Sequence, residues 1–199
     1  MGNLFSVKKA FERLNQPISL VKYPSDLDNC DALILPGVGA FDPAMQRLKE
    51  CELVPHLKTW HNKKKPLLGI CLGLQLLFQS SEEGQLEGLG LLEGKICKLP
   101  KDLGERIPHM GWALLNPRNS CPLIGNQNNN WVYFVHSYSA IPTDPKAIAA
   151  TTNFGEFEIS SMVWENRLGA CQFHPEKSGK TGQKILSNWL KWLHNGAPI

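Results

Sequence analysis

The sequence predicts an α/β protein: a doubly wound, mainly parallel sheet with an additional antiparallel β layer. Three observations carry this. Strand-like and helical runs alternate up to Leu77, the pattern of strands joined by crossover helices. The run at residues 31–35 is apolar beyond Asp31, as a strand buried on both faces must be. After Leu77 the helical period stops and short β-rich runs follow one another, as antiparallel strands do. At 199 residues, and about 100 to 200 residues per domain, residues 1–199 are read as one domain.

The elements follow in order. Leu4, Val7, Phe11 and Leu14 recur at helical spacing opposite Lys8, Lys9, Glu12 and Arg13, so residues 3–15 are expected to form an amphipathic helix capped by Asn3. Residues 18–23 and 31–35 read as strands, the second ended by Pro36-Gly37-Val38-Gly39. Asp42-Pro43 supplies a cap residue and a first-turn proline for the next helix, and residues 53–61 form a further helical segment. Residues 66–70 are a third strand, followed by a helix from about Leu74. Glycines 84, 88, 90 and 94 then punctuate short runs, and residues 131–140 and 148–152 add β-rich segments. Residues 116–130 are polar and proline-containing, hence a surface loop. Residues 162–164 and 170–173 are two more strands. A last helix from near Gly179 presents Ile185, Leu186, Trp189, Leu190 and Leu193 on one face. The whole is flavodoxin-like, and in such sheets ligands sit beyond the carboxyl ends of the strands.

Composition removes several functional classes. Apolar residues are 42% and charged residues 20%, which excludes disordered, collagenous and coiled-coil chains. The apolar stretch at residues 66–81 is interrupted by Gly69, Gly73, Gln75 and Gln79, short of the roughly 20 apolar residues of a membrane span. The first twenty residues carry four charges and no signal-peptide pattern, so a cytoplasmic chain is expected. Lys and Arg number 21 against 18 Asp and Glu, a net +3. Beyond Lys63 to Lys65, read as a solvated helix end, there is no dense Lys/Arg stripe, which gives little electrostatic footprint for nucleic acid, and no nucleic-acid partner is expected. The six cysteines lie at least twenty positions apart. No metal site is expected from that spacing, and in a reducing compartment the thiols stay free.

Chemistry concentrates at strand ends. Gly69-Ile70-Cys71-Leu72-Gly73 places a cysteine where a strand meets a helix. Glycines two before and two after it permit the sharp turn of a nucleophile elbow, with sulfur replacing oxygen. The helix that follows aims its amides at the sulfur and favours a thiolate. Alone, the pentapeptide reads equally as a buried cysteine between packing glycines. Phe173-His174-Pro175-Glu176 supplies a base and a group to orient it, two residues apart and so on one side of an extended segment. Alone, it reads as an ordinary turn. The Pro36-Gly37-Val38-Gly39 turn can offer backbone amides to an oxyanion, or simply turn tightly. Tyr133-Phe134-Val135-His136-Ser137-Tyr138 is a strand with a polar end suited to a polar substrate, or an aromatic strand with a satisfied histidine.

Together these segments resemble the class I, triad-type glutamine amidotransferases over almost the entire chain. Within that family, Pro36 to Phe41, Pro108-His109-Met110-Gly111-Trp112, Tyr133 to Tyr138 and His174 to Ser178 resemble the glutaminase subunits of imidazole glycerol phosphate synthases. The resemblance implies that Cys71 attacks the carboxamide of L-glutamine, that His174 protonates ammonia and later activates water, and that Glu176 orients His174. It implies a glutamine pocket formed by Gly37, Val38, Gly39, Gln75, His136, Ser137 and Tyr138. Met110, Trp112, Tyr133 and Lys177 would face a (β/α)8 cyclase subunit, which takes up the ammonia to make imidazole glycerol phosphate for histidine. The glycine turn would point a carbonyl, rather than an N–H, at the substrate until that partner is loaded. No metal or cofactor is implied.

Two features depart from the subfamily. Its members carry an apolar strand and a short glycine turn before the segment matching Met1-Gly2-Asn3-Leu4, so the usual first strand is expected to be missing from the sheet. Ala113 stands where the subfamily has asparagine. An alternative within the same class is an amidotransferase subunit of anthranilate or GMP synthesis; alternatives from other classes are a non-catalytic flavodoxin-like regulatory module and a cysteine esterase or peptidase. Glutamate formed from glutamine separates the amidotransferases from the module, and labelling by ester probes without a glutamine preference marks the esterase or peptidase.

Overall fold

The computed structural model describes residues 2–101, 104–125 and 130–199. The first helix, α1 (Gly2–Glu12), already includes Asn3 in its first turn, so Asn3 is not the residue before it. It is followed by β1 (Leu33–Gly37), α2 (Phe41–Glu50), α3 (Leu53–Asn62), β2 (Leu67–Cys71) and the single short α4 (Leu72–Leu76). The second half holds β3 (Ser80–Ser81), β4 (Gly94–Lys98), β5 (His109–Leu114), β6 (Asn116–Pro117), β7 (Trp131–His136), β8 (Tyr138–Pro142), β9 (Ile148–Phe154), β10 (Phe157–Glu165), β11 (Leu168–Cys171) and α5 (Gly179–His194).

The main sheet runs β1-β2-β11-β10-β9-β6. Its first three strands are parallel and the rest antiparallel, so much of the expected antiparallel layer extends the same sheet. The remainder forms a sheet of β3-β4-β8 and the pair β5-β7. Strand alternation divides the core into two faces. Leu68 and Ile70 of β2 join Val7, Phe11, Ile185 and Trp189 on the α1 and α5 side. Leu67 joins Phe41, Met45, Leu57 and Leu74 on the side of α2, α3 and α4. Phe11 meets Trp189 edge to face at 5.9 Å, an aromatic contact that adds to area burial.

Three local expectations are corrected. Residues 18–23 form no strand: the N–H groups of Lys22 and Tyr23 donate to the Asp26 carboxylate instead, which winds the chain into a 3-10 turn over Pro24–Asn29. Asp42 does not cap α2, whose preceding residue is Ala40. Its carboxylate accepts from the backbone N–H groups of Gln85 and Leu86 and pins a loop across the helix start. Lys65 is not a freely solvated charge, since its ammonium lies 3.7 Å over the Trp60 ring and donates to the Cys30 carbonyl. In the loop over residues 116–130, residues 116 and 117 pair with β9, and residues 126–129 lie outside the described residues.

An apolar groove of about 920 Å³ runs along β1, lined by Val7, Ile18, Leu33, Leu35, Leu57 and Trp189 among others. Gly37 and Val38 reach its end, but Cys71 and His174 do not line it. Among the described residues no helix is long and apolar enough to cross a membrane.

Candidate active site

Every residue of β2 is buried between β1 and β11. The register sets Gly37 beside Cys71 and Ile70 beside Cys171, so the ends of three parallel strands converge on the sulfur. At Cys71 the chain turns sharply, with φ 55° and ψ −111°. A residue with a Cβ held there stores strain of about 1 to 3 kcal/mol, which its surroundings must over-determine. The glycine beyond makes the turn sterically feasible: a Cβ on Gly73 would fall 1.7 Å from the Leu35 carbonyl oxygen. The helix starts at once, at Leu72 rather than Leu74, and spans only five residues. Its dipole is correspondingly small, so the partners of the sulfur must be sought among side chains.

His174 lies just past β11 in a turn fastened to β7. The His174 N–H donates to the Tyr133 carbonyl at 3.0 Å. The Ser178 hydroxyl donates to the His174 carbonyl at 2.6 Å and accepts from the Tyr133 N–H at 2.9 Å. Pro175 begins the 3-10 turn Pro175–Lys177, which returns Glu176 to the imidazole. His174 Nδ1–H donates to Glu176 Oε1 at 2.8 Å, and both side chains are fully enclosed, at 1% and 0% exposure. That fixes the tautomer and leaves Nε2 for the sulfur. Burial works against a charge on His174, but the hydrogen bonds and negative charges of Cys71 and Glu176 outweigh it and raise its pKa to about 9. A cysteine sulfur facing an imidazolium backed by a carboxylate is an arrangement for nucleophilic attack followed by proton delivery.

The residues expected to form the substrate pocket fall into two groups. Gln75 is buried and donates through Nε2 to the Tyr138 carbonyl and to Gln172 Oε1. His136, also buried, donates through Nδ1–H to the same Tyr138 carbonyl at 2.8 Å, and its Nε2 accepts from His109 Nδ1–H at 3.1 Å. Burial first, then neighbouring His109 and His174, press its pKa down to about 3, so it is a neutral imidazole of fixed tautomer. Ser137 makes the bend between β7 and β8, and its carbonyl accepts from the Leu99 N–H. Gly37, in register with Cys71, leads into Val38 and Gly39 on the β1 side. Val38 is exposed, and Gly39 holds φ at +106°, which favours glycine.

The four residues expected to face a partner share one surface. Met110 and Trp112 project from alternate positions of β5 and are 62% and 53% exposed. Trp112 is in register with Tyr133 on β7, their rings 6.1 Å apart. Lys177 is exposed on the turn that Tyr133 fastens. Leu114 and Trp131 extend this apolar row, and contiguous exposed apolar surface marks an interaction face.

Sequence reasoning passed over three residues. Gln172 is wholly buried and donates through Nε2 to Cys71 Sγ at 3.9 Å. Its signal was a polar side chain in an apolar strand, two residues before His174 and so on the same side. Ser178 was legible only as part of the segment after His174, without the turn that gives it two hydrogen bonds. His109 needed the β5-β7 register, which pairs it with His136.

The chain belongs to the class-I glutamine amidotransferase family, whose model matches residues 2–192. Among similar proteins is the imidazole glycerol phosphate synthase subunit HisH of Prochlorococcus marinus (strain MIT 9211). It is 62% identical over 98% of this chain and 92% of its own length. HisH 2 of P. marinus (strain MIT 9313) is 59% identical over 99% of this chain and 93% of its own. Solved structures share the fold at lower identity. A glutamine amidotransferase crystal structure superposes with TM-score 0.74 at 18% identity, over 96% of this chain and 93% of that one. PurLQS from Thermotoga maritima does so with TM-score 0.73 at 20% identity, over 95% and 92%.

Proposed function

We propose that this chain is the glutaminase subunit of an imidazole glycerol phosphate synthase, working in the cytoplasm in histidine biosynthesis as one domain over residues 1–199. The observation that carries the reading is the buried Cys71, His174 and Glu176 constellation, set in a chain about 60% identical to HisH subunits. Cys71 sulfur attacks the carboxamide carbon of L-glutamine. The amide nitrogen takes a proton from His174 and leaves as ammonia, so a glutamyl thioester remains on sulfur. His174, now neutral, accepts a proton from water as the hydroxide oxygen attacks the thioester carbon. Glutamate departs and the thiolate and imidazolium return. Glu176 holds the imidazole in place throughout. The turn Gly37 to Gly39 supplies the oxyanion donor, and Gln75, His136, Ser137 and Tyr138 surround the substrate.

The row Met110, Trp112, Tyr133 and Lys177 would seat the (β/α)8 cyclase subunit that consumes the ammonia. In this reading the glycine turn lacks its N–H donor until the partner is loaded. One missing oxyanion donor costs on the order of 10² to 10³ in turnover. Glutamate formation is to be measured for the chain alone, with the cyclase, and with the cyclase and its ribotide ligand. The expected rise in the third condition is about 10²-fold or more, chiefly in kcat. Full activity in the first condition rejects the gating, and labelling by ester probes with no glutamine hydrolysis in any condition rejects the glutaminase.

A further inference from the structure

The amides of Gln172 and Gln75 form a relay that ends on the nucleophile. Gln172 is 0% exposed, and Gln75 is 5% exposed. Gln75 Nε2 donates to Gln172 Oε1 at 3.1 Å, which determines which end of the Gln172 amide faces onward. The other end, Nε2, donates to Cys71 Sγ at 3.9 Å. Gln75 is itself held by the Tyr138 carbonyl, the acceptor it shares with His136. The backbone of Gln172 is fixed as well, its N–H donating to the Ser161 carbonyl at 2.9 Å. A fully buried amide with both ends committed cannot rotate freely, and leaving either end unsatisfied is costly.

Resting on the glutaminase reading above, we propose that Gln172 is a positioning residue for Cys71: its amide N–H steadies the sulfur in its charged form, and Gln75 orients that amide. The physical case is the direction of the donor. A neutral N–H pointed at sulfur strengthens as charge develops there, because hydrogen bonds to charged groups are about twice as strong as those to neutral ones. The same donor is favourable when the thioester is hydrolysed and the thiolate reforms. The short α4 supplies little of this stabilisation, and His174, held at Nδ1 by Glu176, is the sulfur's charged partner. Gln172 is thus a second, uncharged donor to the sulfur.

The test reads Cys71 directly. Parent, Gln172→Met and Gln172→Glu are alkylated with iodoacetamide over a pH series, and Cys71 is followed by peptide-resolved mass spectrometry apart from the other five cysteines. The titratable groups facing Cys71, namely His174 with Glu176 behind it and the buried Cys171, are untouched in each variant. The expected result near neutral pH is about a tenfold slower alkylation in Gln172→Met, a loss of one hydrogen bond to a charged group. The deficit should close at alkaline pH, where the thiolate forms without help. Gln172→Glu should be slower still, since a carboxylate opposes the thiolate. Glutaminase kcat should fall in parallel while KM stays within about twofold. Parental alkylation of folded Gln172→Met, or a deficit that persists at alkaline pH, overturns the proposal. If Gln172→Met does not fold, Gln75→Met gives the same reading: a smaller, pH-dependent deficit supports the relay, and none overturns it. A parent that is normally alkylated yet never hydrolyses glutamine defeats the glutaminase reading and not this one.

Discussion

Two buried histidines stand at neighbouring strand ends and are driven in opposite directions. His174, beyond β11, is 1% exposed and His136, ending β7, is 6% exposed, so both lose their hydration. His174 faces a carboxylate at 2.8 Å and the Cys71 sulfur, and its pKa rises to about 9. His136 faces a carbonyl and a second imidazole, and its pKa falls to about 3. Desolvation is common to the two sites and therefore cannot decide between them. The partner decides: negative groups keep one imidazole charged for proton transfer, and neutral dipoles keep the other uncharged beside it. Under the proposed mechanism, which needs one cation next to the sulfur of Cys71, both outcomes serve the site, because a second charge on His136 would repel the one on His174.

The largest way to break this contrast is to remove the charged member. His174→Ala should lower glutamine turnover by about 10⁴-fold to 10⁶-fold, as loss of a triad base does. Glu176→Gln keeps the hydrogen-bond geometry but withdraws the carboxylate's charge, and its loss should be on the order of 10²-fold smaller. Steady-state glutamate formation with the cyclase partner present measures both. Equal losses would mean that Glu176 does more than orient.

A smaller effect separates the two histidines through stability. Unfolded His136 takes a proton below its ordinary value of 6.5, whereas the folded residue resists until about 3. Stability is therefore expected to fall as pH drops through that window. His174 has the opposite sign: its stabilising charge is complete below 6.5 and lost as pH rises through about 9. His136→Asn should flatten the acid limb of a stability profile measured by urea unfolding and leave the alkaline limb in place. An unchanged acid limb would show that some other group governs it.

What was legible in the sequence follows the same division. Gly69, Cys71 and Gly73 could be read because a strand-to-helix turn imposes local steric demands, and His174 with Glu176 because they are two residues apart. The parallel pairing of β1 with β2 agrees with the alternation of elements up to Leu77, whereas the place of β11 beside β2 does not follow from that alternation. The expected strand over residues 18–23 failed because Asp26, only four residues from Lys22, competes for its backbone N–H groups. Gln172 and His109 depend on contacts across 101 and 27 residues, which local pattern does not encode. Ser178 needed the closure of a turn against another strand. Chemistry carried by neighbours in sequence is visible in the residues themselves, whereas chemistry carried by register, such as the approach of Cys71 to His174 or of Trp112 to Tyr133, is reached only through the family resemblance or, at Gln172, not at all.

In the proposed mechanism Cys71 is the nucleophile, in a fold that does not depend on its sulfur. The decisive measurement is glutamate release from glutamine by the parent and by Cys71→Ala, each with the proposed (β/α)8 cyclase and its ligand at saturation. Turnover by the parent and none above background by Cys71→Ala, which still binds the cyclase and melts within a few degrees of the parent, is the predicted result. Glutamate formed at a comparable rate by folded, cyclase-bound Cys71→Ala would contradict it.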